Sequence, residues 1–165
     1  LLQINNSMEL LNKPCQFALN EITLIKKDSS SMLKIHAEIN YPFFNTYWVD
    51  GLIIATPTGS TAYSLSCGGP ILTPGSDNFV ITPVSPHNLN LRPLVVSDNE
   101  NITLKAESRE GQFLLTMDSQ SFTVDNNKIV QLKKAEFTLS LIELEDQNFF
   151  RTIRNKLFWG KDSRN

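Results

Sequence analysis

Alternation of apolar and polar residues is the dominant pattern along this chain. In residues 33–39, Leu33, Ile35, Ala37 and Ile39 alternate with polar side chains, and the same period of two recurs in later segments. Because side chains of a strand point alternately to its two faces, this period predicts half-buried β-strands. The predicted strands are Phe17–Ile25, Leu33–Ile39, Phe79–Val84, Ile102–Ala106, Phe113–Met117 and Phe137–Leu141.

Clusters of Asp, Asn, Ser, Gly and Pro separate these segments, as is typical of turns. They occupy residues 28–31, 74–77, 98–101 and 125–127. Short strands at a spacing of about 8–12 residues favour a layered β-sandwich. The sequence therefore predicts a single, mainly β domain over residues 1–165, built as a sandwich-like pair of layers with two short helices.

Two segments carry helical features instead. Residues 60–67 follow a buried apolar run, with Ser60 or Thr61 placed as the N-cap and a Gly-Gly-Pro run as the stop signal. Residues 147–157 carry apolar side chains three and four positions apart, with basic residues near the C-terminal end. We predict a helix over each range. A polar tail follows the second helix, so that helix and tail together occupy residues 147–165.

The composition narrows the class of protein. The chain has 165 residues, of which 41% are hydrophobic, and a formal net charge of −2. This balance excludes a strongly basic nucleic-acid module, which needs clustered positive charge, and also a disordered tail. The longest apolar run, Leu52–Ala55, is far shorter than the roughly 20 residues that span a bilayer. We expect a soluble globular domain with neither nucleic acid nor a membrane as its partner.

The cysteines and histidines give no support for a metal site. Cys15 and Cys67 form no CxxC pair and do not cluster with His36 or His87, so we expect free thiols and no bound metal. The chain starts at Leu1 and carries no signal-peptide pattern. We therefore expect it to begin inside a longer protein.

The densest chemical signal is the segment Asp50–Pro70, in which an apolar strand enters a loop rich in Pro, Gly and hydroxyl side chains. Free backbone N–H groups and small side chains at a helix start let a phosphate or another polar ligand come close. The ring of Tyr63 could face a base. An ordinary capped strand-to-helix turn would use the same residues, so the spacing leaves both interpretations open.

Three further features are ambiguous when taken singly. Asp50-Gly51 between two apolar runs is typical of a hairpin turn. Asn20-Glu21 interrupts an apolar strand, and one of the two must lie near the buried side and need a partner, unless a bulge or an edge position accommodates it. His87 lies in a loop-like stretch, where a structural hydrogen bond is commoner than catalysis.

In combination, these segments resemble the C-terminal domain of the NAD kinases. The resemblance covers about residues 15–160, and residues 56–63 are its most specific part. It implies that the parent protein phosphorylates the adenosine-ribose 2′-hydroxyl of NAD to give NADP, using ATP or polyphosphate and a divalent metal such as Mg²⁺. The segments that occur in the family's order are Asn20-Glu21, Asp50–Pro70, Pro86–Pro93 and Asp118-Ser119-Gln120.

The resemblance also implies which residues hold NAD. The Asn-Glu pair contacts the dinucleotide, residues 61–66 line its adenosine and ribose, and the residue matching Asp50 often comes from a neighbouring subunit. Some relatives carry a basic residue where this chain has Trp48, so a stacking contact would replace a charge contact there. The predicted NAD-binding residues are Asn20, Glu21, Trp48, Asp50, Thr61, Ala62, Tyr63, Ser64, Leu65, Ser66 and Gln120.

The catalytic part implied by the resemblance is missing from this sequence. NAD kinases carry a Gly-Gly-Asp-Gly stretch in an N-terminal domain, whereas the Gly-Gly pair here is followed by Pro70. We therefore expect no catalytic residue in this chain, no activity when it is isolated, and an N-terminal domain of the same protein as its partner. The family further implies a homodimer or homotetramer in the cytoplasm.

Alternative functions predict different surfaces. A non-catalytic dinucleotide-binding or assembly module would use the same fold without phosphate transfer. A C-terminal domain of the diacylglycerol and sphingosine kinase group would present a wide apolar groove, whereas the polar loop at residues 56–66 favours a nucleotide. A carbohydrate-binding sandwich needs a platform of exposed aromatic residues, which two Trp and three Tyr do not indicate.

Overall fold

The protein, as given by a computed structural model, is a sandwich of two β-sheets. The structure describes residues 1–13, 16–28, 31–40, 43–140, 142 and 148–158. The helices formed by these residues are α1 (Ser7–Leu11), α2 (Tyr63–Ser66) and α3 (Phe149–Lys156), with a 3₁₀ turn at Gly59–Thr61. The strands are β1 (Leu2–Ile4), β2 (Gln16–Ala18), β3 (Glu21–Lys26), β4 (Leu33–Ile39), β5 (Phe43–Val49), β6 (Gly51–Ala55), β7 (Asn78–Val84), β8 (Leu94–Ser97), β9 (Ile102–Glu107), β10 (Gln112–Met117), β11 (Gln120–Asp125) and β12 (Ile129–Lys134).

Within the described residues, each sheet has six antiparallel strands. Sheet A has the order β2-β1-β12-β9-β4-β5, and sheet B has the order β11-β10-β3-β6-β7-β8. The core lies between them: Leu33 and Ile35 of sheet A, and Ile22 and Leu24 of sheet B, belong to one cluster of fully buried side chains. This architecture confirms the predicted mainly β, sandwich-like fold.

Strand β6 is buried on both of its faces. Leu52 and Ile54 point into the core between the sheets, whereas Ile53 and Ala55 join Val80 in a second apolar cluster on the outer face of sheet B. The chain that follows β6 folds back over this outer face, where Cys67 and Leu72 pack against the second cluster. Burial on both faces explains why β6 is continuously apolar rather than alternating.

The hairpin predicted at Asp50-Gly51 is wrong. Strand β5 pairs with β4 in sheet A, whereas β6 pairs with β3 and β7 in sheet B, so Asp50 carries the chain from one sheet to the other. Gly51 is needed for close approach rather than for a turn, because a Cβ there would lie 2.8 Å from the Leu24 carbonyl oxygen. Alternation predicts a strand without specifying the sheet it joins.

Two predicted strands also need correction. The segment Phe17–Ile25 is split, with β2 in sheet A and β3 in sheet B, and Leu19 and Asn20 form the connection. The described residues 137–140 of the segment Phe137–Leu141 form no strand, and Leu141 lies outside the described residues. Strands β4, β9 and β10 confirm the alternation pattern. Strand β7 confirms the strand predicted at Phe79–Val84, although it is buried on both faces.

The two predicted helices exist in shortened form. Helix α2 has only four residues, and its N-cap, Ala62, makes no side-chain capping bond, so the predicted caps at Ser60 or Thr61 are wrong. Helix α3 starts after Asn148, whose side chain accepts a hydrogen bond from the Arg151 N–H at 2.9 Å. Gln147 and residues 159–165 lie outside the described residues. No helix among the described residues has the length and apolarity needed to cross a bilayer.

Candidate functional site

Three backbone segments meet at one end of sheet B, and we call this cluster of residues 19–21, 56–59 and 118 the β3 junction. Asp118 lies in the tight turn between β10 and β11 with a φ of 47°. Its Oδ2 accepts the N–H of Leu19 at 2.8 Å, and its Oδ1 accepts the N–H groups of Asn20 and Glu21 at 2.9 and 3.1 Å. One carboxylate therefore fixes three successive amides where the chain crosses between the sheets.

Thr56 fixes the same connection from the other side. Its N–H donates to the Asn20 carbonyl at 2.8 Å, and its hydroxyl donates to the Leu19 carbonyl at 2.6 Å. Since the Asp118 N–H also donates to the Glu21 carbonyl at 3.1 Å, the backbone of residues 19–21 is bonded on both its donor and its acceptor groups. Asn20 and Glu21 are thereby held on a rigid support.

Gly59 completes the junction by close packing. A Cβ at this position would lie 2.1 Å from the Asn20 carbonyl oxygen and 2.4 Å from its carbon. Real Cβ atoms do not approach backbone so closely, so only glycine fits here. The glycine of the Pro-Thr-Gly-Ser motif is therefore explained by contact with Asn20.

Hydroxyl groups hold the loop segment, residues 56–69, from within. The Ser60 hydroxyl donates to the Pro57 carbonyl at 2.6 Å and accepts the Leu72 N–H at 2.9 Å. The Ser64 hydroxyl is buried 2.8 Å from the Thr82 hydroxyl on β7. The side chain of Ser64, a predicted NAD contact, is therefore committed to the loop's own structure.

Glu21 differs from these satisfied groups. Its Oε2 atom is buried and has no hydrogen-bond partner among the described residues. Burial, followed by repulsion from the Asp118 carboxylate, raises the pKa of Glu21 above its ordinary value. The sequence analysis predicted that one member of the Asn-Glu pair would lie near the buried side and need a partner. The carboxylate of Glu21 is that member.

Tyr63 lies at the start of α2 and is 38% exposed. Burial, then the charges of Cys67 and Asp50, raise the pKa of its phenol above the ordinary value. Thr61 and Ser66 are exposed on the same loop segment, whereas Ala62 and Leu65 are partly buried.

Asp50 lies at the opposite end of β6 from the β3 junction. Asp50 lies five residue steps from Ala55, the β6 residue that pairs with Glu21, a distance of about 17 Å along the strand. Its Oδ1 lies 2.8 Å from Lys26 Nζ. The structure therefore does not bring Asp50 together with Asn20 and Glu21 within one chain.

Trp48 and Gln120 flank these positions. Trp48 is 51% exposed on β5, its ring lies 5.8 Å from Lys34 Nζ, and its carbonyl accepts the His87 N–H at 2.9 Å. Gln120 is exposed at the start of β11, two residues beyond Asp118. Gln120 is thus close to the β3 junction along the chain, whereas Trp48 lies near Asp50.

The residues described by the structure offer no ready metal site. Within those ranges, no three His, Cys, Asp or Glu side chains converge as ligands would. Both Asp118 oxygens already accept backbone N–H groups, so Glu21 and Asp118 do not present a free pair of carboxylates. Cys67 is a free thiol, and Cys15 lies outside the described ranges.

Sequence reasoning missed the roles of Asp118, Thr56 and Gly59 in building the junction. The available signal was an Asp at a turn after an apolar strand, since Asp tolerates positive φ better than most residues. Nothing in the spacing connects that turn to residues 19–21, which lie about 100 positions earlier in the chain.

Comparisons with known proteins agree on one family. Residues 19–144 match the family described as ATP-NAD kinase C-terminal domain. The NAD kinase of Flavobacterium psychrophilum is 52% identical over 153 residues, which cover 93% of this chain and 52% of that protein. The NAD kinase of Cytophaga hutchinsonii is 49% identical over 159 residues, with 96% and 54% covered. The chain thus spans about half the length of the curated relatives it matches.

Solved structures share the fold. Yeast NADH kinase complexed with NADH superposes with a TM-score of 0.81 at 25% identity, covering 90% of this chain and 46% of that one. An NAD kinase from Archaeoglobus fulgidus in complex with ATP gives a TM-score of 0.70 at 28% identity, covering 82% and 51%.

Proposed function

This chain belongs to the family of ATP-NAD kinase C-terminal domains, and we propose that it is the half of an NAD kinase that holds NAD for phosphorylation. The observation that carries this proposal is the Oε2 atom of Glu21, a buried acceptor without a partner on an otherwise fully bonded support. Such an atom costs stability unless a ligand donates to it. A ribose hydroxyl is a donor of the right chemistry.

The β3 junction would act by positioning the acceptor. Glu21 would accept a hydrogen bond from a ribose hydroxyl, and the Asn20 amide beside it would offer both a donor and an acceptor. Because Asp118 and Thr56 fix the backbone of these residues, the protein would lose little conformational entropy when NAD binds. Holding an acceptor in near-attack geometry can lower a barrier by several kcal/mol.

The reaction itself would be completed outside this chain. In the proposed reaction, the 2′-oxygen of NAD forms a bond to the terminal phosphorus of ATP while the bond to ADP breaks. The hydroxyl proton then passes to a base in the other half of the protein. The Mg²⁺ of such a transfer would neutralise the phosphates of ATP in that half of the protein. The isolated chain should therefore be inactive, and we retain the cytoplasm as its predicted location.

A second subunit would supply Asp50 and Trp48 to the site. The separation of about 17 Å along β6 keeps Asp50 from contacting the ribose held by Glu21 of the same chain. In a dimer in which the β3 junction of one copy faces Asp50 of the other copy, Glu21 and Asp50 could contact the same ligand. We therefore include a homodimer or homotetramer in the proposed function.

The direct test is a chimera. This chain would replace the matching segment of the Flavobacterium psychrophilum NAD kinase, with which it shares 52% identity. We expect the chimera to form NADP from NAD and ATP, while the isolated 165-residue chain forms none. Glu21→Gln in the chimera should lower kcat/KM for NAD at least tenfold, because an amide offers a weaker acceptor than a carboxylate.

Glu38→Gln is the matched control, because Glu38 lies on β4 in the other sheet and its side chain is also partly exposed. It should leave kcat/KM unchanged. A folded chimera that binds NAD without phosphorylating it would favour the non-catalytic binding module. If the Glu21→Gln chimera has the same kcat/KM for NAD as the parent chimera, Glu21 is not part of the site.

A further inference from the structure

A second orphaned polar atom lies next to Glu21. Thr23 is two residues further along β3, so its side chain points to the same outer face of sheet B. It is only 1% exposed, and its Oγ1 is buried without a hydrogen-bond partner among the described residues. Two unpaired polar atoms therefore occur side by side on a strand whose backbone is fully engaged in the sheet.

The two atoms are chemically complementary. A hydroxyl donates and accepts, whereas an ionised carboxylate only accepts. The Cα atoms of residues i and i+2 of a strand lie about 7 Å apart, and two hydrogen bonds through one oxygen span about 5–6 Å. The longer, flexible side chain of Glu21 can make up the difference by leaning towards Thr23, so that one oxygen donates to Glu21 and accepts from Thr23. Another carboxylate or a carbonyl could not fill that position, because it has no proton to donate.

The neighbours of Thr23 do not supply this partner. On one side Thr23 faces Thr116 of β10, and on the other side it faces Ile53 of β6, which is apolar. Of these two described partners, Thr116 has a hydroxyl able to bond to Thr23, and no hydrogen bond between the two is formed. This leaves the oxygen shared with Glu21 as the best-placed partner.

We propose that Thr23 is a further specificity-determining residue of the acceptor site, donating to the oxygen that bridges it to Glu21 when NAD is bound. This inference rests on the function proposed above. Because Thr23 is almost completely buried, the bridging oxygen is either a ribose hydroxyl that enters as covering side chains move, or a water molecule that the ribose hydroxyl orders. In both cases the hydroxyl of Thr23 is used only in the bound state.

A functional hydroxyl and a structural one give opposite results on replacement by valine. Thr23→Val keeps the side-chain shape and removes an unpaired buried hydroxyl, so the thermal unfolding midpoint of the ligand-free protein should stay the same or rise. The same change should weaken NAD binding to the chimera about five- to tenfold, because the bridging oxygen loses a donor. Thr23→Ser, which retains the hydroxyl, should restore most of the affinity.

NAD analogues that lack the 2′- or the 3′-hydroxyl of the adenosine ribose identify the contact. The parent chimera should bind the analogue that lacks the contacted hydroxyl about tenfold more weakly than it binds NAD. In the Thr23→Val chimera, the affinities for NAD and for that analogue should differ about twofold or less. Thr116→Val is the matched control, since it removes the facing hydroxyl on β10. It should leave the response to both analogues unchanged.

The outcomes separate the inference from the proposed function. If the parent chimera binds NAD and Thr23→Val binds it equally well, the role of Thr23 is overturned while the function stands. A lowered unfolding midpoint in Thr23→Val, with unchanged discrimination between NAD and its analogues, shows a purely structural hydroxyl. If the folded parent chimera does not bind NAD at all, both the function and the inference fail.

Discussion

The two ends of strand β6 carry candidate residues of similar kinds but are built in opposite ways. At the C-terminal end, the β3 junction is fixed by backbone hydrogen bonds to Asp118 and Thr56 and by the close packing of Gly59. At the N-terminal end, the carboxylate of Asp50 is paired with Lys26, and both side chains are partly exposed. Trp48 beside it is half exposed.

This difference indicates how each end can contribute to binding. The β3 junction is rigid within one chain, so it can present Asn20 and Glu21 in a fixed geometry. Asp50 is 31% exposed beside its partner Lys26 and Trp48 is 51% exposed, as expected of residues that another surface could cover. Substitutions at the two ends should therefore have very different effects on stability.

The largest expected effect is at Gly59. Gly59→Ala places a methyl group into the backbone of Asn20, and we expect a loss of about 3 kcal/mol in the free energy of unfolding. Chemical denaturation of the 165-residue chain measures it. Gly68→Ala is the control: its φ of 81° is strained for alanine but the surrounding space is open, so about 1 kcal/mol is expected. Equal losses at the two glycines would contradict the packing argument.

Asp118→Asn should have the next largest effect. The variant replaces a charged acceptor of three backbone N–H groups with an amide, one end of which is a donor. We expect a loss of about 2 kcal/mol in the free energy of unfolding. Asp125→Asn, an exposed carboxylate on the adjacent strand β11, serves as the control and should change little. An unchanged midpoint for Asp118→Asn would show that the junction is held by other contacts.

Glu21→Gln should change stability less, and in the opposite direction. Because the pKa of Glu21 is raised in the folded state, the folded protein holds this proton more tightly than the unfolded chain does. Stability therefore falls as the pH rises from the ordinary value of 4.5 through the raised pKa. Glu21→Gln should be more stable than the parent at pH 7, and the difference should vanish towards pH 4.5.

Denaturation curves of the parent and Glu21→Gln across this pH range are the measurement. A variant that is less stable than the parent at pH 7 would mean that the carboxylate has a partner in the free protein. That result would also weaken the argument that Glu21 awaits a ligand.

The smallest effect on stability is expected at Asp50. Asp50→Asn breaks a partly exposed ion pair, which should change the free energy of unfolding by about 0.5 kcal/mol or less. Activity of the chimera should nevertheless fall. If Asp50 acts on the neighbouring subunit's ligand, mixing Asp50→Asn with Glu21→Gln in equal amounts should restore about a quarter of the sites in a dimer. If no activity is recovered after the subunits have exchanged, Asp50 does not act on the ligand of the neighbouring subunit. It then belongs either to the site of its own chain or to no site.

The sequence predicted individual strands better than their arrangement. Alternation in residues 33–39 identifies β4 because one face of that strand is buried and the other is exposed. The same reasoning cannot show that β5 and β6 belong to different sheets, since both are apolar where they are buried. The strand predicted at Phe17–Ile25 also runs through Leu19 and Asn20, where the chain crosses between the sheets.

The need for a partner at the Asn-Glu pair was predictable from the sequence, whereas the hydrogen bonds that build the β3 junction were not. Two adjacent polar residues in an apolar strand indicated that one would need a partner, and the buried Oε2 of Glu21 agrees with this. The hydroxyls of Ser60 and Ser64 were expected to cap a helix or meet a ligand, yet they bond within the protein. Partners distant in sequence, such as Asp118 for residues 19–21, cannot be found from local spacing.

The position of β12 has a consequence for how the protein is made. This strand lies between β1 and β9 in sheet A, so Leu2 pairs with Lys134 across almost the whole chain. Until β12 has left the ribosome, β1 and β2 have no connection to the rest of their sheet, and the apolar side chains of Leu2 and Ile4 lack their cover. Completion of sheet A during synthesis must therefore wait for β12, which lengthens the period in which nascent chains are exposed to aggregation.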